Sequence, residues 1–362
     1  MIFLDKIKIM HCGDLHIGAT LSALGEKASI RRAELTHTLG SITAACREHS
    51  VELLLISGDL FDSNSVPRET VDSVRAFFAA IPETTVAVVP GNHDYLSADS
   101  PYHGEWSENV HIFRENESIK VGPVTLHGFP FTGPYCDEIP LPTAAEGANI
   151  LLMHADLDGG RYNPVTEPRL AATGMDYVAL GHIHKCSGVC SAGDVKYAYC
   201  GCPEPLGFDE CGPKGVLLGT VGKHHCELSF LPLARREYRE ERLDVSAFHD
   251  NDSLLAAARA VLSDQKDNLI KLILEGSCDF SVDLQFIKTG LEGAAFFLKL
   301  RDRTAPAVDF NSLSQEQSLK GFFVRALTAR KNGADGQAEL LDEALRLGLA
   351  ALDGRDVSFG ED

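Results

Sequence analysis

The chain has 362 residues, of which 44% are hydrophobic and 23% charged, the balance of a folded globular protein with room for one large or two to three ordinary domains. No apolar run approaches the roughly 18 residues a membrane span needs, and the opening Met1-Ile2-Phe3-Leu4-Asp5-Lys6 lacks a signal peptide's long apolar region, so a cytoplasmic protein with no membrane partner is expected. The formal charge of −19 argues against a generally basic, non-specific nucleic-acid binder, although a total conceals local Arg patches and counts acidic metal ligands.

Ile7-Lys8-Ile9-Met10-His11-Cys12 reads as a strand entering a Gly-Asp loop. Residues 28–48 place Ile30, Leu35, Leu39, Ile42 and Cys46 on one helical face. A buried strand at 51–56 precedes the Gly58-Asp59 loop, and Pro67 opens a helix to about Ala80, since proline's missing N–H costs nothing in a first turn. The next strand, Thr84 to Val89, ends at Pro90-Gly91-Asn92-His93. Further strands are expected at 109–113, 118–121, 124–129, 149–153, 176–180, 195–200 and 215–220. Alternating strands and helices followed by strands alone predict an α/β sandwich with largely parallel central strands and functional residues at the strand ends.

Near residue 235 the composition shifts to alternating Arg and Glu (Arg235, Arg236, Arg239 and Arg242 against Glu237, Glu240 and Glu241). A helix (252–263), a strand (268–275), a helix (281–291) and a strand (295–301) then predict a small αβαβ domain. Two helical stretches close the chain, 312–331 and 336–352, broken at Asn332-Gly333. The first places Leu313, Leu319, Phe322, Phe323 and Leu327 near one another. The expected division is therefore 1–235, 240–305 and 306–362.

Five polar blocks follow the apolar runs in order: Asp14-Leu15-His16, Gly58-Asp59-Leu60-Phe61-Asp62, Gly91-Asn92-His93-Asp94, a lone His154, and Gly181-His182-Ile183-His184. Singly, most are ordinary cap or turn residues. Asn-His-Asp after Pro-Gly is a dense polar loop with no obvious packing use, and histidines two apart on an extended segment point the same way. Together the blocks supply Asp, His and Asn groups suited to two adjacent divalent metals, the apparatus for hydrolysing a phosphate ester. The ten cysteines are scattered. Cys186, Cys190, Cys200, Cys202 and Cys211 match no common zinc spacing, so reduced thiols are expected, with Cys12 a buried strand residue.

The five blocks resemble the calcineurin-like metallophosphoesterase superfamily. Cys12-Gly13-Asp14-Leu15-His16-Ile17-Gly18, the segment Ser100-Pro101-Tyr102 followed by Trp106 and Asn109-Val110, and the run from Gly201 to Glu210 are similar to the SbcD-type DNA repair nucleases, within them most to a YhaO-like bacterial branch. The resemblance covers roughly residues 1–305. It implies a metallophosphoesterase β-sandwich flanked by helices (1–235), a capping domain (240–305) and a helical C-terminal segment. It also implies two divalent cations, usually Mn²⁺, with Fe²⁺, Mg²⁺ and Zn²⁺ as alternatives. One cation would take Asp14, His16, Asp59 and His184. The other would take Asp59, Asn92, His154 and His182, with Asp59 bridging. His93 would protonate the leaving oxygen as a hydroxide between the cations attacks phosphorus. In related phosphatases a carboxylate at the position of Asp62 orients this histidine, so an Asp62–His93 pair is expected. Archaeal and eukaryotic repair nucleases often have His there. Asp94 stands where phosphoprotein phosphatases usually have Glu.

The resemblance implies a DNA exonuclease or endonuclease acting on duplex ends. An SbcC-like coiled-coil ATPase would be its partner, with residues 312–352 a docking element, and a homodimer stays open. Two alternatives remain at this point. One is a phosphodiesterase for nucleotides or other small phosphoesters, which the acidic total favours. The other is a non-catalytic scaffold, disfavoured because unused buried Asp and His would destabilise the fold.

Overall fold

Six strands form the first sheet: β1 (Lys6–Cys12), β2 (Leu53–Ile56), β3 (Thr85–Val88), β4 (Val110–Ile112), and, later in the chain, Gly215–Gly222 and His225–Pro232. The computed structural model describes residues 6–157, 159–307, 310–331 and 338–352. β1 through β4 pair in parallel, in register from Ile9↔Leu53 to Val88↔Ile112, and the two late strands add antiparallel at the β1 edge. The second sheet holds β5 (Glu117–Val121), β6 (Val124–Phe129), β7 (Ala148–His154), β8 (Tyr177–Gly181), β9 (Cys190–Ala192) and β10 (Val195–Tyr199), with β6, β7, β8 and β10 parallel. We number the late strands of the first sheet β11 and β12.

Strand periodicity decides which neighbour each residue meets. Ile7, Ile9, Leu53, Leu55, Ala87 and Val89 point from the first sheet into a shared core with Val124, Leu126, Ile150, Leu152, Tyr177 and Ala179 of the second. The alternate residues Met10, Cys12, Leu54, Ile56, Val86 and Val88 face helices α1 (Ala28–Glu48) and α2 (Arg68–Ala79) through Leu39, Ile42, Cys46, Val71, Val74 and Phe78. Because both faces are covered, β2 reads as the unbroken apolar run Leu53-Leu54-Leu55-Ile56. A short helix, α3 (Glu167–Thr173), covers the outer face of the second sheet through Leu170. The α/β sandwich with helices on both outer faces is as expected. Ile30 departs from its expected face and is exposed, whereas Leu35, Leu39, Ile42 and Cys46 are buried.

The chain divides after Arg239 into two compact units. The second has a three-stranded sheet, in the order β13 (Tyr238–Asp244), β14 (Leu269–Cys278), β15 (Phe297–Pro306), with β14 and β15 parallel. Helices α4 (Asn251–Val261) and α5 (Leu284–Gly290) are capped by the side chains of Asp250 and Asp283. Leu254, Leu255, Ala258, Ile270, Leu272, Leu274 and Ile287 make their core. The αβαβ reading lacks one strand: the second half of the Arg/Glu alternation, from Arg239 to Arg242, lies in β13. Its Glu240 pairs with Lys271 at 3.0 Å and its Arg242 with Glu275 at 3.0 Å, so charges take the place of an apolar face.

Helices α6 (Phe310–Gln315), α7 (Leu319–Lys331) and α8 (Ala338–Leu352) follow. Val324, Leu345 and Leu349 form a small core with Leu313, Phe323 and Leu327. Leu319 and Phe322, expected on the same face, are exposed instead. The expected break at Asn332-Gly333 lies outside the described residues. Among the described residues no helix is long and apolar enough to cross a membrane.

Candidate metal centre

The parallel strands β1, β2, β3, β7 and β8 deliver the five polar blocks at their C-terminal ends. The turns are tight enough to force uncommon backbone. Asp14, His16, Asp59 and His182 all have positive φ (51°, 45°, 49° and 103°). Asn, Asp and His enter this region more readily than other non-glycine residues, and such conformations cluster at functional sites. Two glycines permit the approach of neighbouring loops. A Cβ on Gly58 would fall 2.3 Å from His154 Nδ1, and one on Gly91 would fall 2.2 Å from Asp59 Oδ1.

Asp14, His16 and His184 can direct one ligand atom each to within 4.8 Å of one another, as can Asp14, Asp59 and His154. His16 Nε2 lies 3.2 Å from His184 Nε2 and 3.8 Å from Asp59 Oδ2. The same Asp59 oxygen is 3.4 Å from His154 Nε2, so this carboxylate faces both groups. His154 Nε2 also meets Asn92 Oδ1 at 2.9 Å, and its ring lies 5.1 Å from that of His182. The opposite nitrogen of His154, Nδ1, donates to the Ser57 carbonyl at 2.9 Å, which fixes the tautomer and turns Nε2 toward the cluster. Carboxylate, imidazole and amide donors in this arrangement fit divalent transition metals.

Charge is arranged to match. Asp14 is wholly buried, and burial raises its pKa against the pull of His154, His184 and His16. Burial also opposes ionisation of Asp59, but His154, His16 and the His93 main-chain N–H outweigh it and lower its pKa. Burial opposes charge on His16, yet Asp62, Asp59 and Asp14 raise its pKa to about 9. Burial and the neighbouring His154 push His182 down to about 4.

Three expectations change in detail. His182 and His184 do not share a direction along an extended segment. The positive φ at His182 breaks the period, so His182 turns toward His154 and His184 toward His16. The carboxylate of Asp62 does not reach His93; it lies 3.4 Å from His16 Nδ1. What holds His93 is the main-chain carbonyl of Asp62, which accepts from Nδ1 at 3.0 Å and leaves Nε2 free. The His93 ring is exposed and stands edge-on to His16 at 4.7 Å, and its backbone N–H donates to Asp59. The third change is Asp94, which has a packing use after all. Wholly buried, it accepts from Gly91 N at 2.7 Å, Phe61 N at 3.0 Å and Tyr102 Oη at 2.5 Å. Burial, then the charge of Asp59, raises its pKa to about 6. It ties the second and third blocks together.

One residue of the site escaped the motif reading as an individual. Glu210 accepts from His184 Nδ1 at 2.5 Å, which directs His184 Nε2 into the cluster. Burial opposes ionisation of Glu210, but His184 lowers its pKa. The run Gly201 to Glu210 that carries it is anchored by Arg31, a wholly buried side chain on α1 that bonds Glu204 at 2.7 Å and the Pro205 carbonyl at 2.9 Å. All ten cysteines are free thiols. Burial holds the thiols of Cys12, Cys200 and Cys202 in their neutral form.

Two mixed sheets, each with a parallel centre, converge on a cluster of Asp, His and Asn. Residues 7–186 match the calcineurin-like phosphoesterase family, and the chain carries a domain of that family, whose members hydrolyse phosphoesters with divalent metals. It is similar to the uncharacterised metallophosphoesterase YhaO of Bacillus subtilis, 28% identical over 301 residues, which span 76% of this chain and 73% of that one. It is also similar to the DNA double-strand break repair protein Mre11 of Aeropyrum pernix (26% over 237 residues, 58% of this chain and 56% of that one). The SbcD component of the SbcCD nuclease of Escherichia coli is 24% identical over 257 residues, 57% of this chain and 62% of that protein. These last two alignments span less than two thirds of the relatives' own length.

Proposed function

We propose that the chain is a two-metal phosphodiesterase acting on DNA. Asp14, His16, Asp59 and His184 would hold one divalent cation and Asp59, Asn92, His154 and His182 the other, with Mn²⁺ the leading candidate. Such a pair, when bound, supplies Lewis acidity and an activated water at neutral pH. The observation that carries this reading is Asp59, one buried carboxylate oxygen placed 3.8 Å from His16 and 3.4 Å from His154. His93 is assigned to neither ligand set, although one of its ring nitrogens comes within 4.8 Å of ligand atoms of His16 and Asp59. With Nδ1–H donated to the Asp62 carbonyl, its Nε2 is the atom that would hold a proton for the leaving oxygen. Glu210 and the Ser57 carbonyl orient His184 and His154, and Asp94 fixes the loop that carries Asn92 and His93.

DNA as substrate is supported by the resemblance to an Mre11 repair protein and to a component of a nuclease. On this reading residues 1–235 are the nuclease domain, 240–305 a cap that selects duplex ends, and 306–362 a helical segment for an SbcC-like ATPase partner. Exposed Leu319, Phe322 and Leu340 favour that last assignment. A second reading, a phosphodiesterase of small phosphoesters, is favoured by the charge of −19, which would repel a polyanion outside the metal centre. Assays on one Mn²⁺-loaded preparation separate the two. The nuclease reading expects cleavage of linear duplex DNA that is abolished by chelation. Cleavage of bis-p-nitrophenyl phosphate with intact DNA would establish the second reading instead.

A further inference from the structure

Beside the candidate metal centre, three rings run from solvent to His182. Tyr135 is 58% exposed. Its ring centroid lies 5.7 Å from that of Tyr162, at an interplanar angle of 34°. Tyr162 in turn lies 4.7 Å from His182 at 41°. The Arg161 guanidinium sits 5.7 Å from the centroid of Tyr135, within cation–π range.

The loops that carry these residues are fastened to each other and to the site. Cys136 N donates to the Arg161 carbonyl at 3.0 Å, and Asn163 N donates to the Cys136 carbonyl at 2.7 Å. Asn163, buried with φ of 54°, also donates through Nδ2 to the carbonyl of His154 at 3.3 Å. The aromatic pair is thus pinned to the end of β7, the strand that ends in His154. The fold gains little from Tyr135, whose ring is mostly in water. A largely exposed ring, held in place with a guanidinium over it, is instead the chemistry that receives a planar ring.

We propose that Tyr135, Tyr162 and Arg161 form a stacking subsite for the nucleobase of the nucleotide whose phosphate is cleaved. The proposal rests on reading the centre as a phosphodiesterase site, and it names what that site recognises beyond the phosphate. Base stacking is sequence-tolerant, because every base offers a π face. The subsite would therefore favour an unpaired terminal nucleotide of any sequence over one held in a duplex.

The test compares duplexes that end in a one-nucleotide overhang, either with its base or abasic, on the Mn²⁺-loaded full chain. For Tyr135→Ala, KM for the base-bearing end should rise about tenfold, the effect of losing one base–aromatic stack. KM for the abasic end should move less than twofold, and Tyr135→Trp should restore the difference. Equal changes on both ends, or none on either, would overturn the subsite. If the wild-type enzyme leaves both duplexes intact, the nuclease reading fails, and stacking is read on other substrates. Thymidine 5′-(p-nitrophenyl phosphate) is then compared with methyl p-nitrophenyl phosphate under the same criterion.

Discussion

In the first unit the decisive charges lie in the interior. Asp14 and Asp94 are wholly buried, Asp59 nearly so, and each is enclosed by imidazoles or N–H donors. In the second unit the charges lie along a strand edge, where Arg242 reaches Glu240 at 2.6 Å and Glu275 at 3.0 Å while remaining open to water. Interior charges act at full strength because little solvent screens them, whereas exposed pairs are weakened by water and salt. The first unit accepts the cost of burying carboxylates, whereas among the described residues of the second unit charges pair strands and cap helices at the surface.

The largest break in this comparison should come from His93. His93→Ala should lower kcat by about 10²–10⁴-fold, the usual contribution of a positioned general acid, while calorimetric titration shows divalent-metal binding retained. Glu210→Gln should weaken metal affinity by about 10–100-fold, with activity recovering at high Mn²⁺, because the residue acts through His184. Asp94→Ala, which strands the N–H groups of Phe61 and Gly91, should cost about 3 kcal/mol in denaturant unfolding. Arg242→Ala, its counterpart in the second unit, should leave the melting temperature and the rate unchanged; a loss like that of Asp94→Ala would erase the contrast.

The pH dependence sharpens the same point. The pKa of His16 is raised above the ordinary 6.5 to about 9, so the folded chain binds its proton more tightly than the unfolded chain does. In chelated protein that stabilisation should be complete below pH 6.5 and lost as pH rises through 9. Divalent cations compete for the same nitrogen, so their affinity should rise with pH toward 9. Melting curves and metal titrations at matched pH values check both signs.

The sandwich was readable because strands buried on both faces appear as apolar runs such as Leu53-Leu54-Leu55-Ile56, each followed by its polar block. Strand β13 was hidden by its own residues, since alternating Arg and Glu carry no hydrophobic period. Asp14, His16, Asp59, His93, His154 and His184, which the structure gathers together, all come from the five blocks, but their pairings were not legible. Glu210 is 26 residues from His184, and the loop that brings it there is held by Arg31 on α1 at Glu204 and by Leu206 N at Glu210 itself. A single positive φ at His182 undid the simple i, i+2 argument. Asp94 stood in a polar block with no obvious packing use and serves as a hub, because carboxylate reach into a loop of N–H groups cannot be seen along the chain.

The left-handed backbone at Asp14, His16, Asp59 and His182 also bears on folding. Each such residue costs roughly 1–2 kcal/mol relative to ordinary backbone, so the loops converge against an intrinsic tendency to relax. A ligand that binds only the converged arrangement stabilises the whole domain by mass action. Cations at this centre would therefore act as folding effectors as well as reagents, and the thermal stability of the chain should follow the supply of metal around it.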